Sequence, residues 1–216
     1  MGFLSSVGSF ISSACSTIGS MASKLTDSLV GTATSIASLG MGLAARVGEA
    51  IKVVAISLGI IQPEEKLEEL GEKAMMSEKT PSDFNSMSEY IDHLRNDVPL
   101  DREKFNSLDD KDLLARSAIG ASITLEGINE KLGTVVTPEF MATVAAQELA
   151  SKAIIGTIKA YKENNLNTSD YSLFLNRELS IDETYKHGSA LVEAYQKLEP
   201  ELTIAQIEDK VMELKA

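Results

Sequence analysis

Cys15, His93 and His187 are the residues of this sequence best suited to attack a carbon, shuttle a proton or ligate a metal, and their spacing gives them none of these roles. The two histidines are far apart, each in a charged helical context without metal-ligand spacing, and each reads as a solvated or capping side chain. Cys15 sits among Ser and Ala on an apolar helix, the setting of an inert small hydrophobe. The P-loop, G-x-G-x-x-G, H-E-x-x-H and G-x-S-x-G patterns are all missing. The acidic runs Glu64, Glu65, Glu68 and Glu69, and Asp109, Asp110 and Asp112, lack the Asp/Asn and Gly placement of a calcium loop and read as solvated helix faces or helix starts. The expectation is a protein that is not an enzyme and has no cofactor.

The residue types that do carry a pattern are the smallest. GFLSSVGSFISSACSTIGSMAS, residues 2–23, has no charged side chain. Leu4, Val7, Ile11, Ala14, Ile18, Met21 and Leu25 recur at alternating steps of three and four, which is one face of a helix and not a linker. On the other side Ser5, Ser9, Ser13 and Thr17 form one row, and Gly8, Ser12, Ser16 and Ser20 the next. Such rows let another helix backbone approach closely, and hydroxyls that bond back to their own helix are cheap to place in lipid. Glycines repeat at eleven-residue intervals as Gly8 and Gly19, Gly31 and Gly42, and Gly48 and Gly59, each pair on a common helix face. Gly8, Ser12, Ser16, Gly19, Gly31, Gly42, Gly48 and Gly59 are therefore the candidate insertion and helix-packing residues. Asp27 and Glu49, the only acids before residue 62, are candidate pore charges.

These residues need helices to hold them. After the charged break at residues 24–27, residues 28–45 form a second uncharged stretch and residues 50–61 a third, mostly apolar one. From residue 63 the chain reads as an acidic, soluble helical bundle. Ser86 with Glu89, Ser180 with Glu183 and Thr203 with Gln206 fit capping boxes, and Thr137-Pro138 fits a helix start. Helices are expected over 64–78, 86–97, 108–132, 138–164, 169–178, 181–198 and 204–215, with Gly120 and Gly156 allowing close packing in the two most apolar ones. The fold class is all-α, divided by composition at residues 1–62 and 63–216.

Charge follows the same division. The net charge of −12 disfavours a nucleic-acid surface, and the first 62 residues carry a net +1, leaving −13 to the rest. The first basic residue, Lys24, follows the apolar stretch, so no cleaved signal is expected and any export would be signal-independent. A helix over residues 3–23 would span about 31 Å, close to a hydrocarbon core, yet its serines and glycines dilute it. That suits a segment soluble in one state and inserted in another.

In this architecture residues 1–62 resemble the pore-forming antibacterial effectors delivered by type VI secretion. The resemblance implies synthesis in the cytoplasm, export by a dedicated machine, homo-oligomers in the target cell's inner membrane and depolarisation of that membrane. It also implies a cognate immunity or chaperone protein as partner, besides the lipid bilayer. A hydroxyl-lined pore with sparse acids would favour cations. The alternative is a phage virion, ejection or injection-machine structural protein that uses the same small-residue helices for packing.

Overall fold

The computed structural model describes the backbone of residues 2–215 and the side chains of residues 8–215. Leu4, Ser5 and Val7 of the rows above therefore have side chains outside the described residues. The described chain is all-α, with twelve α-helices and no strand. The helices are α1 (Gly2–Gly19), α2 (Asp27–Ser38), α3 (Met41–Ser57), α4 (Leu67–Met76), α5 (Met87–Asn96), α6 (Arg102–Asn106), α7 (Asp110–Leu132), α8 (Pro138–Ala146), α9 (Ser151–Glu163), α10 (Tyr171–Leu175), α11 (Ile181–Leu198) and α12 (Ile204–Glu213).

They form two compact units, Met1–Lys131 and Leu132–Ala216. The change in composition at residue 62 thus falls inside the first unit. Its centre is α7, buried over most of its length from Leu114 to Ile128. Helix α4 crosses α7 with the two backbones touching: a Cβ added at Gly120 would lie 1.9 Å from the Leu67 carbonyl oxygen, and one added at Gly71 would lie 1.9 Å from that of Arg116. Beside the crossing the Arg116 guanidinium donates to the Glu72 carboxylate, and both side chains are largely buried. The N-terminal helices are joined to this core. Val47, Ile51 and Val54 of α3 are fully buried, a Cβ added at Gly48 would lie 3.3 Å from the Leu67 side chain, and the Lys24 ammonium donates to the Met75 carbonyl at the end of α4. One cost is built in: the Tyr90 hydroxyl on α5 is buried without a hydrogen-bond partner among the described residues.

The helix breaks differ from expectation where φ, not composition, decides. Residues 28–45 do not form one helix. The chain breaks at Gly40, whose φ of 78° and ψ of 161° lie in a region essentially reserved for glycine, and the charged Arg46, Glu49 and Lys52 lie within α3. Residues 138–164 divide into α8 and α9, because Glu148 takes a φ of 52° and the Leu149 amide closes back onto the Val144 carbonyl. Most starts are as signposted: Ser180 with Glu183 and Thr203 with Gln206 form complete capping boxes, and Thr137 accepts from the Phe140 amide ahead of Pro138. Ser86 caps the Glu89 amide, but the Glu89 carboxylate accepts from the Asn85 amide, so that box is incomplete.

The second unit packs α9 along α11 and folds α12 back antiparallel on α11, with Lys210 reaching Glu199 and lying over the Tyr195 ring. At its heart is His187, only 3% exposed, which corrects the expectation of a solvated histidine. Its Nδ1 is hydrogen-bonded to the Tyr161 hydroxyl at 2.9 Å, and its ring stacks on Phe174 with centroids 5.9 Å apart. Burial holds its pKa below the ordinary histidine value, partly offset by Asp170 and Glu183. The unfolded chain therefore takes up a proton near pH 6.5 that the folded chain resists. Stability present above that pH is expected to fall as pH drops below it, by at most about 1.4 kcal/mol per pH unit from this group. Urea midpoints measured from pH 7.5 to 5.5 (about two units) test this, and His187→Gln is expected to remove that part of the slope.

Candidate functional site

Helices α1 and α2 form an antiparallel hairpin. Cys15 Sγ lies 3.8 Å from Ser38 Oγ, and further back along α1 the Ile11 Cδ1 atom lies 3.8 Å from where a Cβ on Gly40 would be. The large apolar residues hold it together. Ala14, Ile18, Met21 and Leu25 from α1 and its turn, and Leu29, Ala33, Ile36 and Ala37 from α2, are all buried. Each buried Ile, Leu or Met among them contributes about 1.5–3 kcal/mol, so these five side chains dominate the stripes' contribution to stability.

The opposite face is open. Gly8, Ser12, Ser16 and Gly19 on α1 and Gly31 on α2 are exposed, as is Gly42 in the first turn of α3. A Cβ added at Gly8, Gly19, Gly31 or Gly42 would meet nothing within 4 Å. The hydroxyls here are turned onto their own backbone: Thr17 donates to the Ser13 carbonyl, Ser20 to that of Thr17 and Ser38 to that of Thr34. The result is a face of glycines and small hydroxyls, with three of the hydroxyls bonded to their own helix and, apart from Asp27, no charge.

The remaining two glycines do other work. Gly48 is buried in the fold between Leu67 and Ser117. Gly59 has a φ of 69° and ends α3, with the following amide of Ile60 bonded to the Ala55 carbonyl. Asp27 opens α2 just after its N-cap Thr26, where a negative charge complements the helix dipole, and Glu49 lies on the exposed side of α3. Neither carboxylate takes part in an ion pair among the described residues, and no bond joins the two.

Outside this face the groups able to do chemistry are tied up in the fold. His93, in the last turn of α5, is hydrogen-bonded through Nδ1 to Asp97 at 2.9 Å and leans on Phe84. Arg95 holds Glu65 bidentately and also donates to the Ile60 carbonyl. Among the described residues no group of three His, Cys, Asp or Glu side chains is arranged to hold a metal ion. Among the same residues no helix is long and apolar enough to cross a membrane.

Fold and site together define an all-α protein whose N-terminal hairpin buries its large apolar residues and exposes a glycine and serine face. In comparison with known proteins, no family model, no curated protein and no solved structure matches the chain.

Proposed function

We propose that this is a membrane-active, pore-forming protein that acts by turning the α1–α2 hairpin inside out. The observation that carries the proposal is the division of the hairpin's faces, with the apolar side chains buried and the glycines and small hydroxyls outside. In a bilayer the two stripes part and face lipid, while Ser12, Ser16 and Gly31 line a polar lumen shared by several copies. The 18 residues of α1 reach about 27 Å, close to the hydrocarbon thickness of about 30 Å. Assembly supplies what no single helix has, since hydroxyl faces sheltered from lipid no longer count against insertion. Asp27 and Glu49 then bias the lumen toward cations. Export by a secretion machine, depolarisation of a target cell's inner membrane and neutralisation by an immunity partner belong to the same proposal and rest on the resemblance of residues 1–62.

The test is potassium release from liposomes by the full chain. Release is expected for the wild type. Gly31→Leu, which the open face accommodates, is expected to keep or raise the melting temperature while abolishing release. Asp27→Lys and Glu49→Lys are expected to reduce cation preference. Intact vesicles after incubation with the wild-type chain would sink the proposal.

One observation favours a second reading, an assembly protein. The empty space above Gly8, Gly19, Gly31 and Gly42 admits the backbone of a helix from a neighbouring subunit. Filaments or tubes in electron micrographs, lost in Gly31→Leu and formed without any leakage, would favour that reading over the pore.

A further inference from the structure

The second unit carries a surface that neither reading of α1–α3 uses. Between α11 and α12 runs a cleft of about 480 Å³ with Phe174 and Val211 in its lining and Gly188 keeping the α11 side low. Large apolar side chains stand exposed along the same hairpin: Ile181 is 89% exposed, Tyr185 78%, Ile204 59% and Met212 58%. Ile181 and Tyr185 fall one turn apart on α11, and Ile204, Glu208 and Met212 follow at four-residue steps along α12. Tyr185, Glu208 and Met212 line the cleft itself, and Ile181 and Ile204 stand exposed beyond it on the same two helices.

The groove is also charged end to end. Glu208 lies on the rim toward the start of α12, and Lys215 lies seven residues further on, its ammonium 3.8 Å from the centroid of the Phe174 ring. Neither is in an ion pair among the described residues. Burial lowers the Lys215 pKa, and Arg177 lowers it further by adding positive potential at that end. The seven-residue step is about 10 Å along a helix, so the groove carries a negative end and a positive end separated by roughly two turns.

We infer that this groove is a self-association surface, occupied by the α11–α12 hairpin of a second copy of the chain. Charge complementarity selects that occupant. A two-fold axis perpendicular to the groove reverses the second copy end for end, setting its Lys215 against Glu208 and its Glu208 against Lys215. The same rotation brings the Ile181 and Tyr185 end of one copy to the Ile204 end of the other. Four helices then enclose the exposed apolar residues, and both charge contacts are made twice.

Sedimentation velocity of the full chain over a concentration series tests this. A monomer–dimer equilibrium is expected for the wild type, and Tyr185→Glu with Met212→Glu is expected to leave a monomer. Glu208→Lys alone and Lys215→Glu alone each place like charges together twice, and each is expected to weaken the dimer at least about tenfold. The double reversal Glu208→Lys with Lys215→Glu is expected to restore it. Melting temperatures read alongside separate lost association from lost folding. A monomeric wild type at every concentration overturns the inference and leaves the groove to a helix of another protein. A dimer indifferent to both charge reversals, as for association through the α1–α2 face, overturns it too. Vesicle leakage is a separate readout, so failure here and failure of the pore proposal are distinguishable.

Discussion

Gly120→Ala is expected to unfold the first unit, or to lower its melting temperature by about 10 °C or more, a loss of at least about 3 kcal/mol. The added methyl would lie 1.9 Å from the Leu67 carbonyl oxygen and 2.7 Å from its carbon. Overpacked cores usually recover by rotating a side chain, which keeps the cost near 1–3 kcal/mol. Here the obstacle is backbone within α4, so relief requires moving α4 away from α7. That movement also strains the Arg116 to Glu72 pair, and separating a buried pair costs several kcal/mol. Gly71→Ala meets the Arg116 carbonyl in the same way and is expected to match it. Circular dichroism melts check this. A Gly120→Ala protein that melts with the wild type would mean that α4 and α7 do not cross in backbone contact.

Under the proposed inside-out mechanism, adding one thiol is expected to switch vesicle leakage off. Cys15 is the only cysteine, and its sulfur lies 3.8 Å from Ser38 Oγ, close enough for a small adjustment to allow a disulfide of about 2.0 Å in Ser38→Cys. The crosslink fastens the last residue of α2 to α1, at the end of α2 far from the turn. It is expected to stabilise the fold by about 3 kcal/mol through the closed loop and, when oxidised, to prevent the apolar stripes from parting. Oxidised protein should release no potassium from liposomes, and dithiothreitol should restore release. Equal leakage from the oxidised and reduced forms would show that the hairpin stays closed during activity, and the inside-out mechanism would have to be abandoned.

Much of the fold was legible because helix starts are written in side chains. Ser180 with Glu183 and Thr203 with Gln206 are hydrogen-bonded boxes whose members must be those residue types. Helix ends were less legible. The break after α8 has neither glycine nor proline, only a glutamate held at φ 52°, and Gly40 ends a stretch whose charges suggested a later boundary. The short helix α6 begins at an Asp101 cap that periodicity over five residues could not support.

The site was legible as a pattern but not as a division of labour. Spacing placed Gly8, Gly31, Gly48 and Gly59 in one class, whereas a buried contact sets Gly48 apart and a positive φ sets Gly59 apart. Neither property can be read from residue type. His187 offered a signal that local charge obscured. It begins the stripe continued by Ala190, Leu191, Ala194 and Tyr195, so helical spacing put it inside even though Glu183 and Lys186 surround it in sequence.

The unmatched Tyr90 hydroxyl has a consequence for the energy landscape of the first unit. A buried phenol without a partner costs about 1–3 kcal/mol. Each unobstructed helical glycine among Gly8, Gly31 and Gly42 forgoes about 1 kcal/mol that alanine would supply. Together the chain leaves roughly 4–6 kcal/mol of attainable stability unused, comparable to the whole stability of many domains. The first unit is thus less stable than its own helices permit, and alanine at Gly8 or Gly31 is expected to raise its melting temperature.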